Sequence, residues 1–170
     1  MPWEFDRGHS YIGFSAKHIG ISVIHGSFDD ANVTVDLMGD DPTKWSLKAV
    51  INAASLTSGI ARRDDALKGE IYLDAERFPT ITFESTRVEP RADRFAVFGP
   101  LTLHGITREV ELDVTYGGEQ VDREILHRGF SAKATINRFD FGIGDLNDRK
   151  KTWTVSDEIN FVLDLEAAQR

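Results

Sequence analysis

The sequence contains no cysteine. That excludes disulfides, thiolate metal sites, iron–sulfur ligation, covalent haem attachment and a thiol nucleophile. There is no surplus of positive charge either. Lys and Arg number 20 against 28 Asp and Glu, a net charge of −8 with neutral histidines. Nonspecific nucleic-acid binding depends on basic residues that neutralise phosphates, so no nucleic-acid partner is expected. The same balance argues against docking on an anionic membrane through a basic patch. Long apolar runs are missing. No stretch approaches the roughly 18 consecutive apolar residues of a membrane span, so no transmembrane segment is expected. The start, Met1-Pro2-Trp3-Glu4-Phe5-Asp6, lacks the basic beginning and apolar core of a secretory signal. The expected location is cytoplasmic, or periplasmic if a signal peptide has been trimmed. Trp and Tyr are scarce, at three each, whereas Phe reaches 11.

The 170 residues suit a single domain, 1–170. Val and Ile together number 24 against 12 Leu. β-Branched side chains fit a pleated surface, so the balance leans towards strands. Periodicity agrees. Val110, Leu112, Val114 and Tyr116 alternate with Glu109, Glu111, Asp113 and Thr115, as in an antiparallel strand with one wet face. The same period of two runs through Ile12–His18, Val33–Leu37, Trp45–Ala53 and Ile81–Ser85. It recurs in Phe95–Leu103, Phe130–Ile136 and Ile159–Leu165. Gly99 marks a bulge or bend in its row. His104-Gly105 reads as a hairpin turn, and Gly117-Gly118 as the end of the strand after it. Glu89–Asp93 reads as a turn. Residues 142–154 read as a long exposed loop.

Ser58 to Glu70 breaks the pattern. Ser58 is a plausible N-cap and Gly69 a plausible stop, which predicts a short helix over about 60–68. The fold class expected is therefore all-β, a sandwich or a barrel with one short helix, and eight antiparallel strands can close into a barrel. Closure would also remove exposed sheet edges.

Chemistry-bearing motifs are sparse. The five histidines have no metal-template spacing. His18 and His25 flank Ile19–Ile24, a bend that would bring them towards each other. Gly-x-Ser-x-Gly and phosphate-loop signatures are absent. The phenylalanines are the notable feature, because Phe supplies large apolar area with no polar handle.

Several blocks, in order and at compatible spacing, carry a family resemblance. They include Asp6 with His9-Ser10, Gly13-Phe14-Ser15-Ala16-Lys17-His18 and Arg63-Asp64. The more specific ones are Phe78-Pro79-Thr80-Ile81-Thr82-Phe83 and Leu101-Thr102-Leu103-His104-Gly105, followed by Gly129-Phe130-Ser131-Ala132 and Ile136-Asn137-Arg138. Over nearly its whole length the sequence resembles the YceI-like family, bacterial lipid-binding proteins with a lipocalin-like barrel. The resemblance implies a long apolar pocket for polyisoprenoids, isoprenoid quinones or related amphiphiles, and implies no catalysis. Two departures stand out. The family often has His-Leu after Arg-Asp-Asp, where this chain has Ala66-Leu67. Residues 142–154 are charged where relatives often carry a more apolar Trp-Asn stretch.

The expected function is to carry or store an isoprenoid-like lipid, with an isoprenoid quinone included. No cofactor is required, and a homodimer is left open. The expected cavity lining is Ile12, Phe14, Phe28, Val35, Phe83, Leu103, Phe130, Ile136, Phe161 and Leu163. His18, Arg63 and Asp64 are the expected polar groups at its mouth. Two rivals stand beside this reading. One is an enzyme acting on a small apolar substrate, with His18 or Asp64 in an inward acid–base pair. The other is an interaction module with its core packed shut, marked by no cavity above roughly 300 Å³.

Overall fold

The structure is a computed structural model that describes residues 2–144 and 152–170. The chain forms β1 (Trp3–Phe5), β2 (Tyr11–His18), β3 (Ser22–Phe28), β4 (Ala31–Asp36), β5 (Ser46–Asn52) and β6 (Leu56–Thr57). Helix α1 (Ala61–Lys68) follows. Then come β7 (Thr80–Glu84), β8 (Arg87–Pro90), β9 (Phe95–Leu103), β10 (Ile106–Asp122), β11 (Ile125–Asn137) and β12 (Glu158–Gln169).

All twelve segments belong to one antiparallel sheet. Their pairing resolves them into eight longer strands, four of which are broken by a kink. β1 and β2 both lie along β12. β3 pairs with β6 while β4 pairs with β5, so β3–β4 and β5–β6 are two bent strands side by side. β7 and β8 both lie along β9. Counted this way, each strand pairs with its neighbours in sequence, and the last pairs with the first. The result is an up-and-down barrel of eight strands.

Three of the four kinks have a local cause. Between Phe83↔Leu101 and Arg87↔Phe98 the β7–β8 strand inserts one extra residue. Pro100 sits opposite that point and has no N–H to donate, so the ladder lapses there. Gly99 lets the strands touch, since a Cβ on it would lie 2.0 Å from the Glu84 carbonyl oxygen. Gly99 is thus a point of close approach in register with Val110, not a bulge of its own strand. In the β1–β2 strand a short 3₁₀ turn, Arg7–His9, loops out opposite Leu165 and Glu166. A 3₁₀ turn over Ala53–Ser55 bends the β5–β6 strand in the same manner.

Alternation sends apolar side chains inward from every strand. The main core joins Ile12, Phe28, Val33, Ile81, Phe83, Leu101, Leu103, Leu112 and Ile136. A second cluster, Trp3, Leu37, Trp45 and Ala167, fills one end. That end is called the tryptophan end here, and the opposite one, where α1 lies, the helix end. Among the described residues, no helix is long and apolar enough to cross a membrane.

Several local expectations need correction. Gly117-Gly118 does not end a strand. β10 continues to Asp122 through a register shift between Tyr116 and Gly118, where Gly118 takes φ +105°. Glu89 and Pro90 belong to β8 and pair with Ala96 and Phe95. Residues 19–24 are no simple bend, because Ser22–Phe28 is a full strand paired to β2. In that register His18 faces Ser22 and His25 faces Ser15, three positions apart. An odd offset puts them on opposite faces, roughly 10 Å apart along the strand. The 142–154 segment is not wholly exposed, since Ile143 and Thr152 are buried. Residues 145–151 of that expected loop lie outside the described residues. The helix starts after Ile60, which gives it no side-chain cap, while Gly69 does close it.

Candidate functional site

The barrel interior holds two chambers. The one towards the tryptophan end has a volume of about 160 Å³. All eight strands contribute to it, among them Ile12, Val35, Trp45, Leu47, Phe83, Val97, Leu112, Phe130 and Leu163. Ser46, Ser85 and Glu166 are its few polar residues. The chamber towards the helix end has a volume of about 280 Å³. Phe14, Ile24, Leu56, Leu103 and Ile159 line it from the strands, and Leu67, Tyr72 and Leu73 from α1 and the turns after it. Phe28, Ile81, Ile136 and Phe161 line both chambers and so form a waist between them.

Many inward side chains are only half-buried. Phe14, Val35, Leu47, Ile51, Val110, Phe130, Phe161 and Leu163 all face the interior yet remain partly accessible. A close-packed core would bury them. They stay accessible because they front open space.

The tryptophan end is stoppered. The Trp45 ring meets Tyr116 and Phe130 edge-on, at 5.4 and 5.9 Å between centroids. Arg128 enters the barrel in the same phase as Phe130 and is 5% exposed. Its guanidinium lies 4.7 Å from the Trp3 ring and 4.5 Å from the Trp45 ring. It donates to the Leu37 carbonyl at 2.7 Å and to Glu119 Oε2 at 3.1 Å. Stacking and hydrogen bonds together offset the cost of burying this cation.

The helix end is the polar mouth. Lys17, His18, Arg63, Arg138 and Thr154 join the wall of the larger chamber there. Arg138 is 2% exposed and donates to the carbonyls of Ile143, Thr152, Val155 and Ser156 at 2.9–3.1 Å. It gathers the chain on either side of residues 145–151. Arg63 donates from Nε to Ser58 Oγ at 2.7 Å and from Nη2 to the Ser58 carbonyl at 2.6 Å.

The expected lining residues distribute between the chambers. Ile12, Val35, Phe83, Phe130 and Leu163 face the smaller one, and Phe14 and Leu103 the larger. Phe28, Ile136 and Phe161 stand at the waist. His18 and Arg63 lie at the mouth. Asp64 does not, because it lines neither chamber. Its carboxylate accepts from the Ser58 backbone N–H at 2.7 Å and from the Ser58 hydroxyl. Those hydrogen bonds from Ser58 hold its pKa below the ordinary carboxylate value. Asp64 therefore fixes the approach to α1. Among the described residues no hydrogen bond links it to His18.

Sequence reasoning passed over Trp45, Leu67, Tyr72, Arg128 and Arg138. The alternation 45-47-49-51 and the phase 128-130-132 carried the signal for Trp45 and Arg128. Nothing in the spacing marks the turn residues Tyr72 and Leu73 as inward.

Comparison with known proteins follows this architecture closely. A family profile described as "YceI-like domain" matches residues 3–167. A UPF0312 protein of Yersinia pestis (strain Pestoides F) is 35% identical over 163 residues, covering 95% of this chain and 82% of its own. Another from Pseudomonas savastanoi pv. phaseolicola is 34% identical over 137 residues, covering 79% and 71%. Among solved structures, Burkholderia cenocepacia BcnA superposes with a TM-score of 0.83 at 25% identity, over 96% of this chain and 99% of its own. A Campylobacter jejuni YCEI protein gives a TM-score of 0.78 at 26% identity, over 91% and 90%. A domain from Saccharophagus degradans, described as polyisoprenoid-binding, shares the fold with a TM-score of 0.72 at 14% identity, over 100% and 99%. With the profile covering nearly its whole length, this chain belongs to the YceI-like domain family.

Proposed function

We propose that the protein binds a long-chain amphiphile, an isoprenoid lipid or isoprenoid quinone, as a carrier or store. The observation that carries this reading is the pair of chambers walled by inward apolar side chains that remain accessible. The apolar tail would run from the larger chamber through the waist into the smaller one. The head group would stay at the helix end beside Lys17, His18 and Arg63. The polyisoprenoid-binding description of the Saccharophagus degradans domain, which has the same fold, supports this choice of ligand class.

Each chamber alone, at about 160 and 280 Å³, stays under the mark of roughly 300 Å³ set for the packed-shut alternative, so the open interior is supported by the half-buried apolar side chains that front the chambers and not by the volume of either one. An extended chain therefore needs both, with the waist side chains turned aside. The driving force would be burial of the ligand's apolar surface at roughly 25 cal/mol per Å², less the cost of immobilising it.

Organic extraction of the purified protein followed by mass spectrometry tests the proposal. A co-purified prenyl chain, and saturable binding of a prenyl lipid or quinone in titration, are the expected results. Recovery of no lipid, with no binding in titration, would sink the idea.

A further inference from the structure

A cluster of side chains where the first and last strands meet, well away from the mouth, offers a different chemistry. Where the 3₁₀ turn loops out between β1 and β2, Asp6 caps the turn by accepting from the His9 backbone N–H at 3.2 Å. The second Asp6 carboxylate oxygen lies 3.0 Å from His9 Nδ1. The Asp6 backbone N–H donates to the Glu166 carbonyl at 2.8 Å. Ser10 Oγ donates to the Asp6 carbonyl at 2.6 Å and accepts from the Glu166 N–H at 3.0 Å. The backbones of Asp6 and Glu166 are thereby fixed side by side. On the adjoining strand β11, His127 Nδ1 sits 2.8 Å from Glu166 Oε1. One ligand atom from each of Asp6, His127 and Glu166 lies within 4.8 Å of the others.

We propose that Asp6, His127 and Glu166, with His9 as a fourth ligand, form a binding site for a zinc-class transition-metal dication. Four features support it. The ligands come from three segments that the barrel brings together, so the site is assembled by folding. Tetrahedral zinc with bonds of about 2.0–2.2 Å needs ligand atoms roughly 3.3–3.5 Å apart, which falls within the observed separations. Among the described residues the Asp6 and Glu166 carboxylates are paired only with histidines, His9 and His127, and with no Lys or Arg. A dication would take up their negative charge and use the same imidazoles as ligands. Mixed imidazole and carboxylate donors suit zinc, nickel or copper, whereas calcium and magnesium prefer all-oxygen sets. His9, at 71% side-chain exposure, lies outside the three-residue cluster with its Nδ1 3.0 Å from Asp6, and would have to turn inward to complete the set. With four protein ligands the site is a closed, structural one, clasping the barrel where its first and last strands meet.

The test is calorimetric titration of the untagged, chelator-stripped full chain with zinc, alongside calcium and magnesium, with no lipid present. One zinc per chain and a raised Tm are expected, with little response to the other two ions. His127→Ala and Glu166→Gln should each weaken zinc at least about 100-fold, the upper end of what outer-shell changes cause. Circular dichroism in chelator establishes that each variant is folded. Anomalous scattering from zinc-soaked wild-type crystals gives a readout independent of the variants, with a peak expected among these side chains. Undiminished zinc affinity in both folded variants, calcium binding as tight as zinc, or no anomalous peak there would each overturn the site.

Discussion

At the scale of single residues, the barrel's ends are organised by two buried arginines, a residue type that composition alone assigns to the surface. Arg128 stacks on Trp3 and Trp45 and satisfies carbonyls of the loop after β4. Arg128→Ala should cost about 3 kcal/mol, since it strands buried acceptors and empties a stacked site. A lowered urea midpoint and weakened near-ultraviolet circular dichroism of tryptophan would show it. Arg128→Lys should recover little, because an ammonium cannot stack or fork. Asp64 gives a pH signature. Ser58 holds its carboxyl below the ordinary value of 3.8. A depressed folded-state pKa means stability that is complete above the unfolded value and fades as pH falls through the folded one. Asp64→Ala lacks this contribution at every pH. The Tm gap between wild type and variant should be widest near neutrality and close below about pH 4, the ordinary Asp range. Thermal melts across a pH series measure it. An Asp beside an Arg near a barrel mouth could hold a polar head group, and Asp64 stands in the Arg63-Asp64 block of the family resemblance, so the sequence offered it as a mouth residue. Its partner Ser58 lies six positions back, across a turn that spacing does not predict.

At the scale of elements, the breaks in the strands matter as much as the strands. Gly99 faces the Glu84 carbonyl at a distance no Cβ tolerates. Gly99→Ala should force β7 and β9 apart and cost about 1–3 kcal/mol, read from a urea melt. All eight strands were legible as alternating rows, because each has one wet face and one dry one. What alternation missed were the halves beyond the kinks. Ser22–Phe28 shows no clean period, since His25, Gly26 and Ser27 interrupt it and Gly26 is buried beneath Phe14 and Thr57. Arg87–Pro90 carries two charges and a proline, and β9 recruits it through Val88, which faces the smaller chamber. The inward phenylalanines were legible for the reason that hid Tyr72 and Leu73. Strand parity assigns a face, and turns have no parity.

At the scale of the whole molecule, the waist decides what length of ligand fits. Ile136 stands there with Phe28, Ile81 and Phe161. Ile136→Phe should narrow the passage while leaving the larger chamber and its mouth open. Binding of a long prenyl chain should fall, and binding of a short prenyl alcohol should persist, when the two are titrated in parallel. Equal loss of both would mean that the chambers do not act in series. The meander has another consequence, for the order of assembly. Seven of the eight seams join neighbours in sequence, five across connections of fewer than about ten residues and two across the longer stretches 58–79 and 138–157. The eighth joins Trp3 to Gln169 and Tyr11 to Asp164, so it waits until nearly the whole polypeptide is in place. A circular permutant that links the two ends and opens at His104-Gly105 turns that seam into a local hairpin. It makes the β9–β10 seam the late one in exchange, so stopped-flow refolding should give a rate close to the parent's and the same barrel.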